Sequence, residues 1–154
     1  MRGTSRAIIN KDHFNVGPLH RITHTMQIKL ASVTVENQEK ALSFYTAILG
    51  FKKKTDVSMG TFRWLTVCSP EGADGVELVL EPIGFPPSTT YQKARFDAGM
   101  PATAFFTSDI DGEFQRLKKL GVCFRGEPTR MGPITAVLFD DTCGNLINLV
   151  QPAA

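Results

Sequence analysis

The sequence predicts an α+β fold of two β-α-β-β-β modules forming a curved mixed sheet around one cavity. Three observations predict it. The same order of strand and helix patterns occurs twice along 154 residues. Each copy has a helix stripe closed by a glycine, Gly50 in the first and Gly121 in the second. The helix ends read alike, "AILGF" at 47–51 and "KKLGV" at 118–122.

The first module spans about residues 26–83 and opens with "IKLASVTVEN". There Ala31, Val33 and Val35 alternate with Leu30, Ser32 and Thr34, as in a half-buried strand. Asn37 is placed to cap a helix whose stripe is Ala41, Leu42, Tyr45, Ile48 and Leu49. Strands follow near 52–57, 62–68 and 76–81, and "SPEGADG" turns the chain between the last two. The loop "GFPPSTTYQKARFDAGMP" contains a linker helix over 88–98, capped by Ser88 and stopped at Gly99. The second module, about 100–151, starts with the strand "ATAFFTS". Asp109 caps a helix with stripe Ile110, Phe114 and Leu117, and strands follow near 122–126, 134–140 and 146–150.

Each helix must cover an apolar sheet face. Val33, Val35, Leu65, Val67, Leu78 and Leu80 supply it in the first module; Thr103, Phe105, Val137, Phe139, Ile147 and Leu149 supply it in the second. The opposite faces then line the cavity. Asn148 points there from an otherwise apolar strand, with Trp64, Phe106 and Leu138 as apolar walls.

Composition narrows the class. An apolar content of 42% and a charged content of 21% are those of a globular protein with a real core. No run of 18 apolar residues predicts a membrane span, and the N-terminus lacks the apolar block of a secretory signal. Cys68, Cys123 and Cys143 form an odd set without C-x-x-C spacing, so a reducing cytoplasm is the expected location. A formal charge of +2 gives no case for nucleic acid. Residues 1–25 read as an N-terminal extension, flexible or interface-forming, ahead of a single domain at 26–151. The extension holds Arg2, Arg6, Lys11 and Arg21 against Asp12, and also His13, His20 and His24; Met26 could be a natural start. No histidine occurs from Met26 onward. His20 and His24 have the spacing of a helical metal clamp, but Gly17 and Pro18 precede them and no helical stripe supports it.

The doubled module, with "ALSFYTAILGF" in the first helix and "D-x-x-GN-x-I-x-L" in the last hairpin, resembles the vicinal-oxygen-chelate superfamily over about residues 26–151. That family is also called the glyoxalase/bleomycin-resistance/dioxygenase superfamily. The resemblance implies the fold but not the reaction, because members range from metal-dependent enzymes to metal-free antibiotic-sequestering proteins. Metal-using members place about four histidines and glutamates on inward positions of the central strands. Those positions fall here on Leu30, Val79, Ala102 and Asn148, none of them an imidazole or carboxylate. A register shift of two residues would bring Glu77 or Glu81 to the ligand position.

The expected site therefore has a metal-free apolar cavity that binds or acts on a small organic molecule. Its lining is Ser32, Trp64, Val79, Glu81, Ala102, Phe106, Leu138 and Asn148, and Glu77 is the candidate general base. Glu81, beside Pro82 at a strand end, reads as a rim residue. Tyr91, Lys93 and Arg95 on the linker helix, and Arg130 with Met131, could gate the cavity or offer a cation to an anionic ligand. No resident cofactor is expected. The alternative is a metal-dependent lyase, isomerase or dioxygenase of glyoxalase type, holding a divalent metal. Open edge strands predict a homodimer, with no membrane or nucleic-acid partner.

Overall fold

The computed structural model describes residues 26–153. The extension at 1–25 and its three histidines lie outside the described residues. Strand β1 (Leu30–Val35) leads into helix α1 (Gln38–Ser43), which continues as a π-helical segment at Phe44–Ile48. Three strands follow: β2 (Lys52–Met59), β3 (Phe62–Cys68) and β4 (Glu77–Pro82). Helix α2 (Pro86–Asp97) crosses to the second module. That module holds β5 (Thr103–Phe106), α3 (Ile110–Lys119), β6 (Thr129–Met131), β7 (Ile134–Asp140) and β8 (Leu146–Pro152).

The chain forms two four-stranded mixed sheets of matching topology, β1-β4-β3-β2 and β5-β8-β7-β6. In each, the first strand pairs parallel with the last and the remaining contacts are antiparallel. Two helix starts are capped as the sequence predicts. The Asn37 side chain accepts from the Lys40 amide (2.9 Å), and Asp109 accepts from Gly112 (2.9 Å). Both helix-ending glycines adopt positive φ, +80° at Gly50 and +84° at Gly121.

Two elements differ from the sequence reading. Helix α2 starts at Pro86 with Phe85 as its cap residue, not at Ser88. Pro86 and Pro87 occupy the first turn, where the missing N–H groups would have had no helical partner. The strand expected near 122–126 is reduced to one bridge, Phe124 to Phe139; the edge strand β6 forms later, at Thr129–Met131. Gly126, at φ +122°, interrupts the extended run between them.

The predicted apolar faces meet in one core. Val33, Val35, Leu65, Val67 and Leu80 from the first sheet cluster with Val137, Phe139, Ile147 and Leu149 from the second. Ala41, Phe44 and Tyr45 of the first helix and Ile110, Phe114 and Leu117 of α3 complete it, with Leu78 and Phe105 packed at its margin. Aromatic contacts cross between modules: Phe44 stands 6.5 Å from Phe139, and Phe51 meets Phe105 edge-on at 5.2 Å. The two sheets thus share their helix-covered faces, and their opposite faces look away from that common core.

A buried polar clasp fixes this arrangement. Asp141, with no solvent exposure, sits in the turn before β8. Its carboxylate accepts from the Tyr45 hydroxyl (2.9 Å), the backbone amides of Cys143 and Asn145 (2.8 and 2.9 Å), and the Asn145 side chain (2.8 Å). Asn145 also donates to the Thr34 carbonyl at 2.9 Å, and Gln92 of α2 donates to the same carbonyl at 2.7 Å. Lys40 donates to the Thr142 carbonyl. One turn of the second module is therefore held by α1, β1 and α2. Gly144 is required there: its φ is +93°, and a Cβ would lie 2.9 Å from the Gln92 amide.

Removing the carboxylate orphans four buried donors at once. Asp141→Ala is expected to cost about 3 kcal/mol or more, and Tyr45→Phe about 1–2 kcal/mol, in urea unfolding. Equal, small losses in both variants would show that the clasp carries little of the stability.

Candidate functional site

The face of the first sheet that turns away from the core carries Leu30, Ser32, Trp64, Glu77, Val79 and Glu81. Register places Ser32 beside Val79 and Val79 beside Thr66, while Leu30 lies beside Glu77 and Thr34 beside Glu81. On the antiparallel side Val57 pairs with Trp64 and Met59 with Phe62. These four apolar side chains are all exposed, Trp64 by 44% and Met59 by 64%. Val79 is buried, Glu81 is exposed at the strand end, and Glu77 is half-buried.

Glu77 is held in place. The Thr66 hydroxyl donates to its carboxylate at 2.6 Å and itself accepts from the Thr55 amide at 3.1 Å. A carboxylate fixed in this way on a partly apolar face can accept a proton from a bound molecule, provided that molecule reaches it.

The second sheet carries the other half of the predicted lining. Asn148 sits between Ala104 and Leu138 in register. Among the described residues its half-buried side chain has no hydrogen-bond partner, unlike the fully committed Asn145 three residues earlier. Phe106 is 70% exposed and Met131, on β6, 61%. Ala102 precedes β5 and is half-buried.

Within one chain these halves do not converge. Of five surface cavities, one of about 140 Å³ is bordered by both Ser32 and Ala102. Phe106 lines two others, of about 350 and 580 Å³, and Glu77 lines one of about 250 Å³. Trp64, Val79, Glu81, Leu138 and Asn148 line none of the five.

At the four positions where the resemblance implies metal ligands, Leu30, Val79 and Ala102 offer hydrocarbon and Asn148 an amide. Among the described residues no three His, Cys, Asp or Glu side chains come together as a metal site.

Asp141 and Asn145 are the D and N of the hairpin motif that carries the resemblance, but the motif gave them no structural role, and Gln92 was not marked at all. The signal for Asp141 was its place ahead of "TCGN", where a short acid bonds the amides of its own turn. Nothing local marked Gln92, whose partners lie 51 to 58 residues away.

Residues 21–149 match the family model described as the Glyoxalase/Bleomycin resistance protein/Dioxygenase superfamily. The chain belongs to that superfamily. Within it, the protein YurT of Bacillus subtilis (strain 168) is 54% identical over 126 residues, covering 82% of this chain and 99% of YurT. Two solved superfamily-like structures align well. UcmS2 does so with a TM-score of 0.71 at 26% identity, covering 82% of this chain and 98% of its own. TnmS3, an antibiotic binding protein from Streptomyces sp. CB03234, has a TM-score of 0.65 at 33% identity and covers 84% and 98%. No described helix of this chain is long and apolar enough to cross a membrane.

Ionisation is perturbed inside the clasp. Burial, with the Asp141 carboxylate next, holds the Tyr45 phenol well above its usual 10.0. Burial raises the Asp141 carboxyl above 3.8, opposed by the four donors around it. Burial, again seconded by Asp141, pushes the Cys143 thiol from 9.0 up to about 11. In the unfolded chain the thiol and phenol ionise near 9.0 and 10.0. The folded chain then binds more protons, so stability falls as pH rises from 9 to 11. The urea midpoint should drop across that window, and Cys143→Ala should flatten the slope. Iodoacetamide at pH 8 should label exposed Cys123 and spare Cys143, as read by peptide mass spectrometry.

Proposed function

We propose that this protein binds a small, largely apolar organic molecule without a resident metal, in a site completed by a second copy of the chain. The observation that carries the reading is the character of the two outer faces. One presents Val57, Met59, Phe62 and Trp64, the other Phe106 and Met131, all exposed. Exposed apolar patches of this kind mark binding or association surfaces. Among their polar groups, Ser32 and Glu77 on one face and Asn148 on the other lie nearest the apolar side chains expected to line the site. A neutral amide and a hydroxyl orient a ligand without demanding a charge from it.

The binding role described for TnmS3, at 33% identity over nearly its whole length, supports sequestration over turnover. Edge-on pairing of two chains would set the first sheet's face of one copy against the second sheet's face of the other, bringing Trp64 and Glu77 towards Asn148, Leu138 and Phe106. In that assembly Glu77 is the residue able to act as a base on an acidic C–H or O–H of the bound molecule. A metal-dependent lyase, isomerase or dioxygenase is the second reading. It would need ligands beyond those at Leu30, Val79, Ala102 and Asn148.

Trp64 is the sole tryptophan and reports directly on the first face. Titration with 2-naphthol should change its fluorescence saturably. Asn148→Ala should weaken the binding at least about tenfold, roughly 1.4 kcal/mol. A silent Trp64, together with a melting temperature raised by Ni, Zn, Mn or Fe and lowered by chelator, would favour the metal-dependent reading.

A further inference from the structure

We propose that the cavity beneath α2 is a second site, which takes a small organic monocarboxylate held by Arg95. This cavity lies on the seam between the modules, bordered by α2, β1, and the turns before β5 and β8. Its volume of about 140 Å³ is close to that of a cavity that holds a benzene-sized molecule.

Arg95 is the charged side chain among its lining residues. The guanidinium Nη1 donates to the Tyr91 hydroxyl at 3.1 Å, and its central carbon lies 5.5 Å from the Tyr91 ring centroid. Nη2 donates to the Pro101 carbonyl. Nε is buried and has no acceptor among the described residues. Both acceptors are therefore neutral, and none of the ion pairs among the described residues includes Arg95. A half-buried cation whose acceptors are both neutral is costly, and a carboxylate beside the guanidinium would supply the opposite charge.

The remaining lining selects among anions. Ser32 and Ser88 offer hydroxyls for the second oxygen, while Phe96 and Met100 give an apolar wall for a short carbon chain. One arginine balances one negative charge. A phosphate dianion would overfill that charge and leave the apolar wall unused. The site meets the outer faces at Ser32 and Ala102, but Trp64, Glu77 and Asn148 do not border it.

The test uses the full chain with butyrate, its neutral isostere butyramide, and inorganic phosphate, at ionic strength matched with sodium chloride. Butyrate should raise the melting temperature in a concentration-dependent way and shift the Arg95 Nε–H resonance, with Trp64 fluorescence unchanged. Butyramide and phosphate should do neither. Arg95→Gln should weaken butyrate binding at least about tenfold, and Arg95→Lys, which keeps the charge but not the fork, should retain a reduced response. If Arg95→Gln does not fold, the Nε–H resonance of the unmodified protein decides. An unmoved resonance, an equal response to butyramide or phosphate, or undiminished binding by Arg95→Gln would overturn the assignment.

Discussion

The structure depends on one buried carboxylate. Asp141 gathers four donors from its own turn and from the Tyr45 hydroxyl of the other module. Hydrophobic burial is non-directional and would allow the two apolar faces to slide over each other. A fully satisfied polar network in a low-dielectric core does not, because each donor left unpaired costs about 1–3 kcal/mol. The clasp therefore selects one packing of two similar modules, and the shared aromatic core follows from it.

That packing has a consequence for function. With the helix-covered faces joined, each sheet turns its other face outward, and the residues expected to line one cavity become two half-sets. Ser32, Trp64, Glu77 and Val79 stand on one sheet; Leu138 and Asn148 stand on the other. The apolar side chains of these faces stay exposed in the single chain, and the Asn148 amide has no hydrogen-bond partner among the described residues, whereas Asn145 is fully committed.

Much of this was legible in the sequence because it is local. Alternation along β1 and the stripe Ile110, Phe114, Leu117 name the buried faces, and Asn37 and Asp109 mark the caps. Gly50 and Gly121 reveal the repeat, since only a residue that tolerates positive φ ends both helices in the same way. What escaped is long-range or depends on competition between local signals. Ser88 is a good cap residue, but Pro86 and Pro87 start the helix earlier. Alternation puts Glu77 on the same face as Val79 and Glu81, yet its Thr66 bond depends on strand pairing that no single segment shows. Gln92 reads as an ordinary polar residue of a helix, and Asp141 as part of a turn motif whose partner lies in the other module. Only the contact between modules buries them, and so only the folded chain reveals that they hold it together.

The account stands or falls on whether the two outer faces are completed by a second copy. Sedimentation equilibrium over a wide concentration range, on the unmodified protein and on Phe106→Asp, addresses this most directly. The account predicts twice the mass of one chain for the unmodified protein and a strong shift to monomer for the variant. A single-chain mass at every concentration, with Trp64 still reporting ligand binding, would contradict it.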